Sequence, residues 1–425
     1  SAVANLFKDV LTLNADLTLR YTDNRLNGVQ SPVPYTTAEN GSVKYMGSSF
    51  DGIYTSNDSK RYLATNIYGQ FAKTFGVHDI KLMAGYNYEQ EVYNRLFAHR
   101  PGKIYEQAEN IALTTGVEKI SSDYYKWRIA GGFFRANYVI ADRYLFEVNG
   151  RYDGSSKFPT SQQWKFFPSA SIGWRVSQEP WFNVDPAKVS NIKLRASYGS
   201  LGNGNIAPYT FQEKFTVQKQ NRYAEGVIQS YVSVPAAIPS SLTWESATTA
   251  NFGIDAGLAA GRLNFTGDYY IRKTTDMYTA GPTLPGTFGA ASPKGNYADM
   301  TTKGWELSIS WNDSFDMAGK PFNYGISATL GDYQSWIDKF NNDNLLIGNT
   351  IYGHPSQYYS GMKVGEIWGF VTEGIFQTEE EVANSPVPSR SIIEPNSLTG
   401  TFGVGDLKFK DLNNDGKIDN GEGTV

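Results

Sequence analysis

The stretch Arg143 to Asp153, RYLFEVNGRYD, decides the fold. Tyr144, Phe146, Val148, Gly150 and Tyr152 fall on one side of a two-residue period. Leu145, Glu147, Asn149, Arg151 and Asp153 fall on the other, and all but Leu145 are strongly polar. Side chains of a strand alternate between its two faces, so this segment folds as a strand with one oily and one wet face.

The same alternation recurs along the chain. Leu11, Leu13, Ala15, Leu17, Leu19 and Tyr21 alternate with Thr12, Asn14, Asp16, Thr18 and Arg20. Ile192, Leu194, Ala196 and Tyr198, then Ala250, Phe252, Ile254 and Ala256, do the same, as do Leu263, Phe265, Gly267, Tyr269 and Ile271, and later Trp305, Leu307, Ile309 and Trp311. A soluble sandwich accounts for a few such strands. Full charges on the polar faces and aromatic residues at strand ends point instead to a wall with lipid outside, a wet interior and interfacial rings. The expected class is all-β, a transmembrane antiparallel β-barrel.

Composition agrees. The chain has 425 residues with 28 Tyr, 24 Phe, 9 Trp and 42 Gly, a mix for strands, turns and aromatic belts rather than helical bundles. A net charge of −4 gives no bulk basic field, so nucleic acid is not an expected partner. The mean hydropathy of −0.41 is what a wall of half-apolar strands produces. The absence of Cys excludes disulfides, thiolate metal sites and Cys nucleophiles together. SAVANLFKDV at the start has no charged segment followed by an apolar core, so it does not read as an export signal.

Residues 1–331 read as wall strands with turns and loops. Asn27-Gly28, Asn40-Gly41, Asp51-Gly52 and Asp153-Gly154 are the expected turns, and 22–60 and 273–301 the expected long loops. Residues 332–425 lose the alternation and read as a loop-rich excursion on the extracellular side. Within it, Thr378 to Glu381 is a capping box opening a short helix.

One local motif carries chemistry. Asp411 to Glu422, DLNNDGKIDNGE, fits the twelve-residue calcium-loop pattern. Asp411, Asn413 and Asp415 would offer side-chain oxygens, Lys417 its carbonyl, Asp419 a direct or water-borne ligand, and Glu422 two oxygens, with Gly416 at the sharp turn. All-oxygen ligands on a flexible loop favour Ca²⁺ over Mg²⁺. The competing reading is a solvated Asn-Asp-Gly turn. Trp336, Tyr352, Tyr358, Tyr359 and Trp368 are candidates for stacking on substrate, although rings in long loops more often pack the loop itself. Arg151, Arg195 and Arg272 on polar faces are expected to form ion-pair networks. His78, His99 and His354 stand apart, with neither triad nor metal spacing, and no catalytic motif appears, so no enzyme is expected.

Several collinear segments resemble the SusC-like (SusC/RagA) branch of TonB-dependent outer-membrane transporters of Bacteroidetes. They are DRYLFEVNGRYDGSSKF from Asp142, FPSASIGWRV from Phe167, LRASYG from Leu194, Trp244-Glu245, NFGID from Asn251, DYYIRKTTD from Asp268, GEIWGFVTEGIFQ from Gly365 and GDLKFKDLNNDGKID from Gly405. The resemblance implies a Gram-negative outer-membrane barrel of about 22 strands around a plug. It also implies nutrient import driven by the TonB complex, with a SusD-like lipoprotein lid capturing glycan or peptide. No TonB box, plug-like segment or closing strands are legible, so the chain reads as a fragment of such a transporter. The alternative is a non-transporting β-rich surface or adhesion protein with a calcium-ordered loop, and a soluble carbohydrate-active sandwich ranks third.

Overall fold

The computed structural model describes all residues except 8–9, 47–50, 225–226, 234, 236, 240–241, 282–283, 290–291, 341–357, 368, 389–401, 413, 415 and 419–425. In chain order the strands are β1 (Ala2–Leu6), β2 (Leu11–Gln30), β3 (Val33–Tyr35), β4 (Lys44–Met46), β5 (Gly52–Phe75), β6 (His78–Pro101), β7 (Lys119–Ile140) and β8 (Tyr144–Ser155). They continue with β9 (Trp164–Arg175), β10 (Val189–Asn203), β11 (Val217–Ala224), β12 (Val227–Val232), β13 (Glu245–Leu258), β14 (Leu263–Thr279), β15 (Gly295–Met317) and β16 (Lys320–Lys339). A 12-stranded sheet runs β1-β2-β5-β6-β7-β8-β9-β10-β13-β14-β15-β16, so each wall strand lies beside the previous one. The small hairpins β3–β4 and β11–β12 sit in the connections of this meander.

Successive connections in a meander fall at opposite ends, and here they differ in length. Residues 76–77, 141–143, 259–262 and 318–319 are tight turns, with 176–188 a longer connection at the same end, whereas 31–51, 102–118, 204–244 and 280–294 are long. This is the asymmetry of an outer-membrane barrel, with short periplasmic turns and long outer loops. The tight turns take left-handed backbone: Ala141 and Asp142 have φ of 50° and 56°, and the Arg143 amide donates to Ile140 O at 2.9 Å. Such turns match the right-handed twist of the strands they join.

The expected turns at Asn27-Gly28 and Asp153-Gly154 are instead strand interior, in β2 and β8. Each glycine lies under a cross-strand ring. A Cβ on Gly154 would come within 2.5 Å of the Trp164 ring, and one on Gly28 within 2.1 Å of Tyr54. The expected loops 22–60 and 273–301 are also largely strand, because β2 continues to Gln30, β5 begins at Gly52, β14 continues to Thr279 and β15 begins at Gly295. Above a bilayer both faces are wet, so the hydropathy period disappears while the hydrogen-bonded ladder continues. The expected boundary at residue 331 falls inside β16.

Exposure along the strands is inverted relative to a water-soluble protein. In β8, Phe146, Val148 and Tyr152 are 42%, 48% and 52% exposed, while Glu147, Asn149 and Asp153 between them are half-buried. In β9, Phe166, Ile172 and Trp174 are exposed, while Lys165, Ser169, Ser171 and Arg175 are half-buried. Among the described residues, the aliphatic rows are therefore not covered by another layer of the chain. They form the surface a hydrocarbon solvent requires.

The chain divides into two compact units, residues 1–296 with 304–332, and residues 297–303 with 333–425. The second unit contains the last strands: β17 (Thr372–Ile375), β18 (Val387–Pro388), β19 (Leu407–Phe409) and β20 (Lys417–Ile418). β17 pairs with β19 antiparallel and β18 with β20 parallel. Helix α1 (Glu379–Ala383) begins at Thr378, whose hydroxyl accepts from the Glu381 amide, while Glu381 Oε2 accepts from the Gln377 amide. This is the expected capping box, reaching one residue further back than its usual form.

Candidate functional site

The polar face of the sheet is a network of paired charges. Arg195 on β10 donates Nε to Asp255 at 2.9 Å and Nη2 to Asp268 at 3.0 Å, tying β10 to β13 and β14. Lys193 Nζ lies 3.9 Å from the same Asp255. Arg151 grips Asp153 with both Nε and Nη2 at 3.0 and 2.9 Å. Arg95 approaches Asp58 at 3.5 Å. Arg272, expected in an ion pair, instead lies 5.7 Å over the Tyr270 ring. Two recesses open on this face. One, of about 450 Å³, is lined by Lys81, Asn137, Glu147, Lys193, Arg195 and Asn251. Asn137 Oδ1, Asn251 Oδ1 and Asp268 Oδ1 are buried on this face without a donor. Unmet buried acceptors are costly, and a further polypeptide segment or ordered water would satisfy them.

The second recess, of about 590 Å³, carries Arg20, Lys60, Tyr62, Glu91, Tyr93 and Tyr125. The register explains the gathering: Arg20 pairs with Tyr62, which pairs with Glu91, and Lys60 pairs with Tyr93, which pairs with Tyr125. The rings of Tyr93 and Tyr125 stack at 4.9 Å. Tyr62 OH donates to Glu89 at 3.0 Å and Tyr125 OH to Glu91 at 2.9 Å, while Arg20 lies 5.7 Å over the Tyr62 ring and Lys60 5.9 Å over the Tyr93 ring. The residues of this recess were missed in the sequence because their grouping arises from strand register, not from spacing along the chain.

At the short-turn end, the D-R-Y and G-W-R motifs meet. Asp142 pairs with Arg175, joining the β7–β8 turn to the end of β9. Glu179, in the connection after β9, is buried and accepts from Tyr144 OH at 2.5 Å, Trp174 Nε1 at 2.9 Å and Arg143 Nη1 at 3.1 Å. The hydrogen bond from Tyr144, then that from Trp174, and then Arg143 hold its carboxyl below the usual carboxylate range. Every side chain of D-R-Y and both W and R of G-W-R are thus used in one clasp.

At the long-loop end, Phe158, Phe167, Ile206, Leu242 and Trp244 form a small buried core. The Trp244 ring lies 5.0 Å from Phe158 and 5.7 Å from Phe167, and its Nε1 donates to Gln163 O at 2.8 Å. Asn296 clamps the same loop: its Oδ1 accepts from the Thr243 amide and its Nδ2 donates to Thr243 O. The D-G-S-S-x-F and W-E motifs therefore anchor outer loops on the wall.

The candidate stacking residues do not converge among the described residues. Trp336 lies within β16, half-buried, with Lys303 Nζ 5.8 Å over its ring. Tyr358 is exposed and packs edge-on against Phe340 at 5.8 Å. Tyr359 donates to Glu366, and burial followed by that bond pushes its hydroxyl up to about 12. Tyr352 and Trp368 lie outside the described residues. In the calcium-type loop, Asn413, Asp415, Asp419 and Glu422 also lie outside them. Asp411 accepts from the Asn414 amide at 2.7 Å and the Gly416 amide at 2.8 Å, and Gly416 has a φ of 80°. Lys417 begins β20 and Ile418 is buried. His354 lies outside the described residues, and His78 is hydrogen-bonded to Tyr138 at 2.8 Å.

Comparison with known proteins gives a consistent result. The family model described as TonB dependent receptor-like, beta-barrel, matches residues 3–415. TonB-dependent receptor P3 of Formosa agariphila is 27% identical over 87% of this chain and 36% of its own length. TonB-dependent receptor SusC of Bacteroides thetaiotaomicron is 29% identical over 85% of this chain and 34% of its own length. The chain therefore spans about a third of the curated relatives it matches. Among solved structures, the RagAB peptide importer in its closed-closed state shares the fold, with a TM-score of 0.69 and 20% identity over 86% of this chain and 42% of the matched one. The 12-stranded sheet is thus part of a barrel wall, its exposed apolar rows face outer-membrane lipid, and the chain belongs to the β-barrel family of TonB-dependent receptors.

Proposed function

We propose that this wall belongs to a nutrient importer that draws oligosaccharide or peptide through its lumen. Its partners are a SusD-like surface lipoprotein, which presents the substrate, and the TonB complex, which supplies the energy. The observation that carries this reading is the polar face. It combines a fixed lattice of ion pairs with the recess of Arg20, Lys60, Tyr62, Tyr93 and Tyr125, a mix of rings, cations and hydrogen-bonding groups suited to a polar polymer. The donorless oxygens Asn137 Oδ1, Asn251 Oδ1 and Asp268 Oδ1 support a plug-like segment packing against the same face. The names of the relatives point the same way, SusC for the receptor type and RagAB for peptide import.

The direct test is uptake by cells carrying the full-length gene. Labelled oligosaccharide and oligopeptide libraries are offered, and accumulation is measured with and without a functional TonB complex and with the neighbouring lipoprotein gene deleted. Accumulation lost in both backgrounds is the expected result. Surface binding that never becomes uptake in any background would favour the adhesion reading.

The loop 411–422 is proposed to bind Ca²⁺ and so to order the segment after β19. Its support is the complete ligand pattern together with an Asp411 carboxylate already oriented by the Asn414 and Gly416 amides. The aromatic residues Trp336, Tyr352, Tyr358, Tyr359 and Trp368 remain proposed substrate contacts.

A further inference from the structure

The lipid-facing side of the wall changes character over two rows of residues. From the short-turn end upward the register gives Phe75 beside His78 and Ile140, and then rows holding Phe71, Leu82 and Val148, and Leu13, Ala84 and Phe134. Next come Ile67, Tyr86 and Tyr152, and then Leu17, Tyr88 and Trp164. Above these, Leu19 and Leu63 stand beside Gln90 and Arg128, and Tyr21 stands beside Arg61, Val92 and Lys126. Higher still, the row holds Asp23, Ser59, Asn94 and Tyr124, with no aliphatic side chain. From Leu63 to Phe75 is about 40 Å along a strand and about 28 Å across a membrane at a tilt of ~45°, which matches the apolar thickness of a bilayer. The three cations therefore stand at the level of the outer-leaflet headgroups, because the long loops lie outside.

Their surroundings favour an external anion. Arg61 and Arg128 are exposed and Lys126 is half-buried. Among the described residues none of the three is in an ion pair. Asp23 is the nearest carboxylate in register on this face, and it is held by Arg25 at 3.1 Å. Arg128 is aimed by Gln90, whose Oε1 accepts from Arg128 Nε at 3.1 Å and from Tyr88 OH at 3.3 Å, leaving the outer guanidinium nitrogens unused. Lys126 is fixed through its backbone, its amide donating to Tyr209 OH at 3.1 Å. The register sets Arg61 and Lys126 two strands apart, about 10 Å, with Arg128 one side-chain step below Lys126, about 7 Å. That spacing lets two guanidinium groups and an ammonium converge on one or two phosphates.

We propose that Arg61, Lys126 and Arg128 form a binding site for the phosphate-bearing headgroup of an outer-leaflet lipid, with the lipid's chains lying on the rows of Leu19, Leu63, Leu17, Tyr88 and Trp164 below. Gln90 is the positioning residue. The site is on the outside of the wall, so it stands whether the lumen carries sugar, peptide or nothing.

The test uses the full-length protein purified in detergent and analysed by native mass spectrometry. A diphosphorylated glucosamine glycolipid is titrated in, with phosphatidylcholine and inorganic phosphate as comparison arms. The expected result is one or two retained glycolipids, at least tenfold weaker retention of phosphatidylcholine, and no displacement by millimolar inorganic phosphate. R61Q and R128Q singly are expected to weaken glycolipid retention several-fold each, and the triple variant with K126Q to abolish the preference. K73Q, on the same face at the opposite end, is expected to change nothing. Equal retention by wild type and the single variants, equal retention of phosphatidylcholine, or displacement by free phosphate would each overturn the proposal. The single variants keep the test decisive should the triple variant fail to assemble.

Discussion

Replacing Trp244 with Ala tests whether the outer loops are anchored on the wall by their own small core. Trp244 is buried, stacks on Phe158, meets Phe167 edge-on and donates its indole N–H to Gln163 O. Truncating a buried Trp costs about 3–5 kcal/mol through lost burial and the cavity left behind. The lost hydrogen bond adds about 1 kcal/mol, and Gln163 O regains part of that from water. The expected loss is therefore about 4–5 kcal/mol, confined to loops 156–163, 204–212 and 242–244. Those loops have no other sizeable buried cluster among the described residues. Hydrogen exchange of the full-length protein in detergent reads this directly. At about 1.4 kcal/mol per decade, amides of these loops should exchange about a thousandfold faster or more, while β5 to β7 keep their protection. Trp244→Phe keeps an aromatic ring but loses the donor and part of the buried indole, so its effect should be intermediate, about 1–3 kcal/mol. Unchanged loop exchange in Trp244→Ala would refute the anchoring role. Uniform loss of protection across the wall would refute its locality.

Three further outcomes are expected. Glu179→Gln removes a carboxyl whose ionised form is favoured by Tyr144, Trp174 and Arg143. A depressed native value stabilises above the unfolded carboxylate range and is lost as pH falls through the native value, so the wild type should weaken below about pH 4. In urea unfolding, the variant should be less stable than wild type near neutrality and converge with it in acid; a constant gap across that range would count against the clasp. Val148→Arg places a cation on the apolar face about a third of the way up from its short-turn edge and should cost about 2–3 kcal/mol for folding into lipid vesicles, with little effect on the same protein held in detergent. A cost below 1 kcal/mol in vesicles would mean that this face does not meet hydrocarbon. Calorimetric titration of the folded protein with Ca²⁺ should show one site that D411N weakens at least tenfold; no heat at millimolar Ca²⁺ removes the loop as a cation site.

The wall was legible in the sequence wherever one face must be oily, as in Arg143 to Asp153 and Leu11 to Tyr21. It was illegible above the bilayer, where residues 22–30 and 52–60 are strand with both faces wet. Asn27-Gly28 and Asp153-Gly154 looked like turns because a sequence records the glycine but not the ring lying over it. The charge pairing of Arg151 and Arg195 followed from the need to neutralise a polar wall, whereas Arg272 found a tyrosine face instead. Glu179 escaped notice because its three donors come from a turn and two strand ends that only the fold brings together. The Tyr93–Tyr125 recess escaped for the same reason.

The glycines that sit opposite aromatic rings also settle a choice that hydropathy leaves open during assembly. Sliding one strand by a single residue turns its oily side inward and is rejected at once. Sliding by two keeps both sides correct, so the greasy-and-wet pattern is blind to it. It would, however, set Trp164 over Tyr152 instead of Gly154, Tyr54 over Leu26 instead of Gly28, and Phe134 over Val148 or Tyr152 instead of Gly150. These notches work as a vernier. They fix the stagger between neighbours, and in a closed cylinder the summed stagger sets the bore. The width of the passage is thus written partly in residues that have no side chain at all.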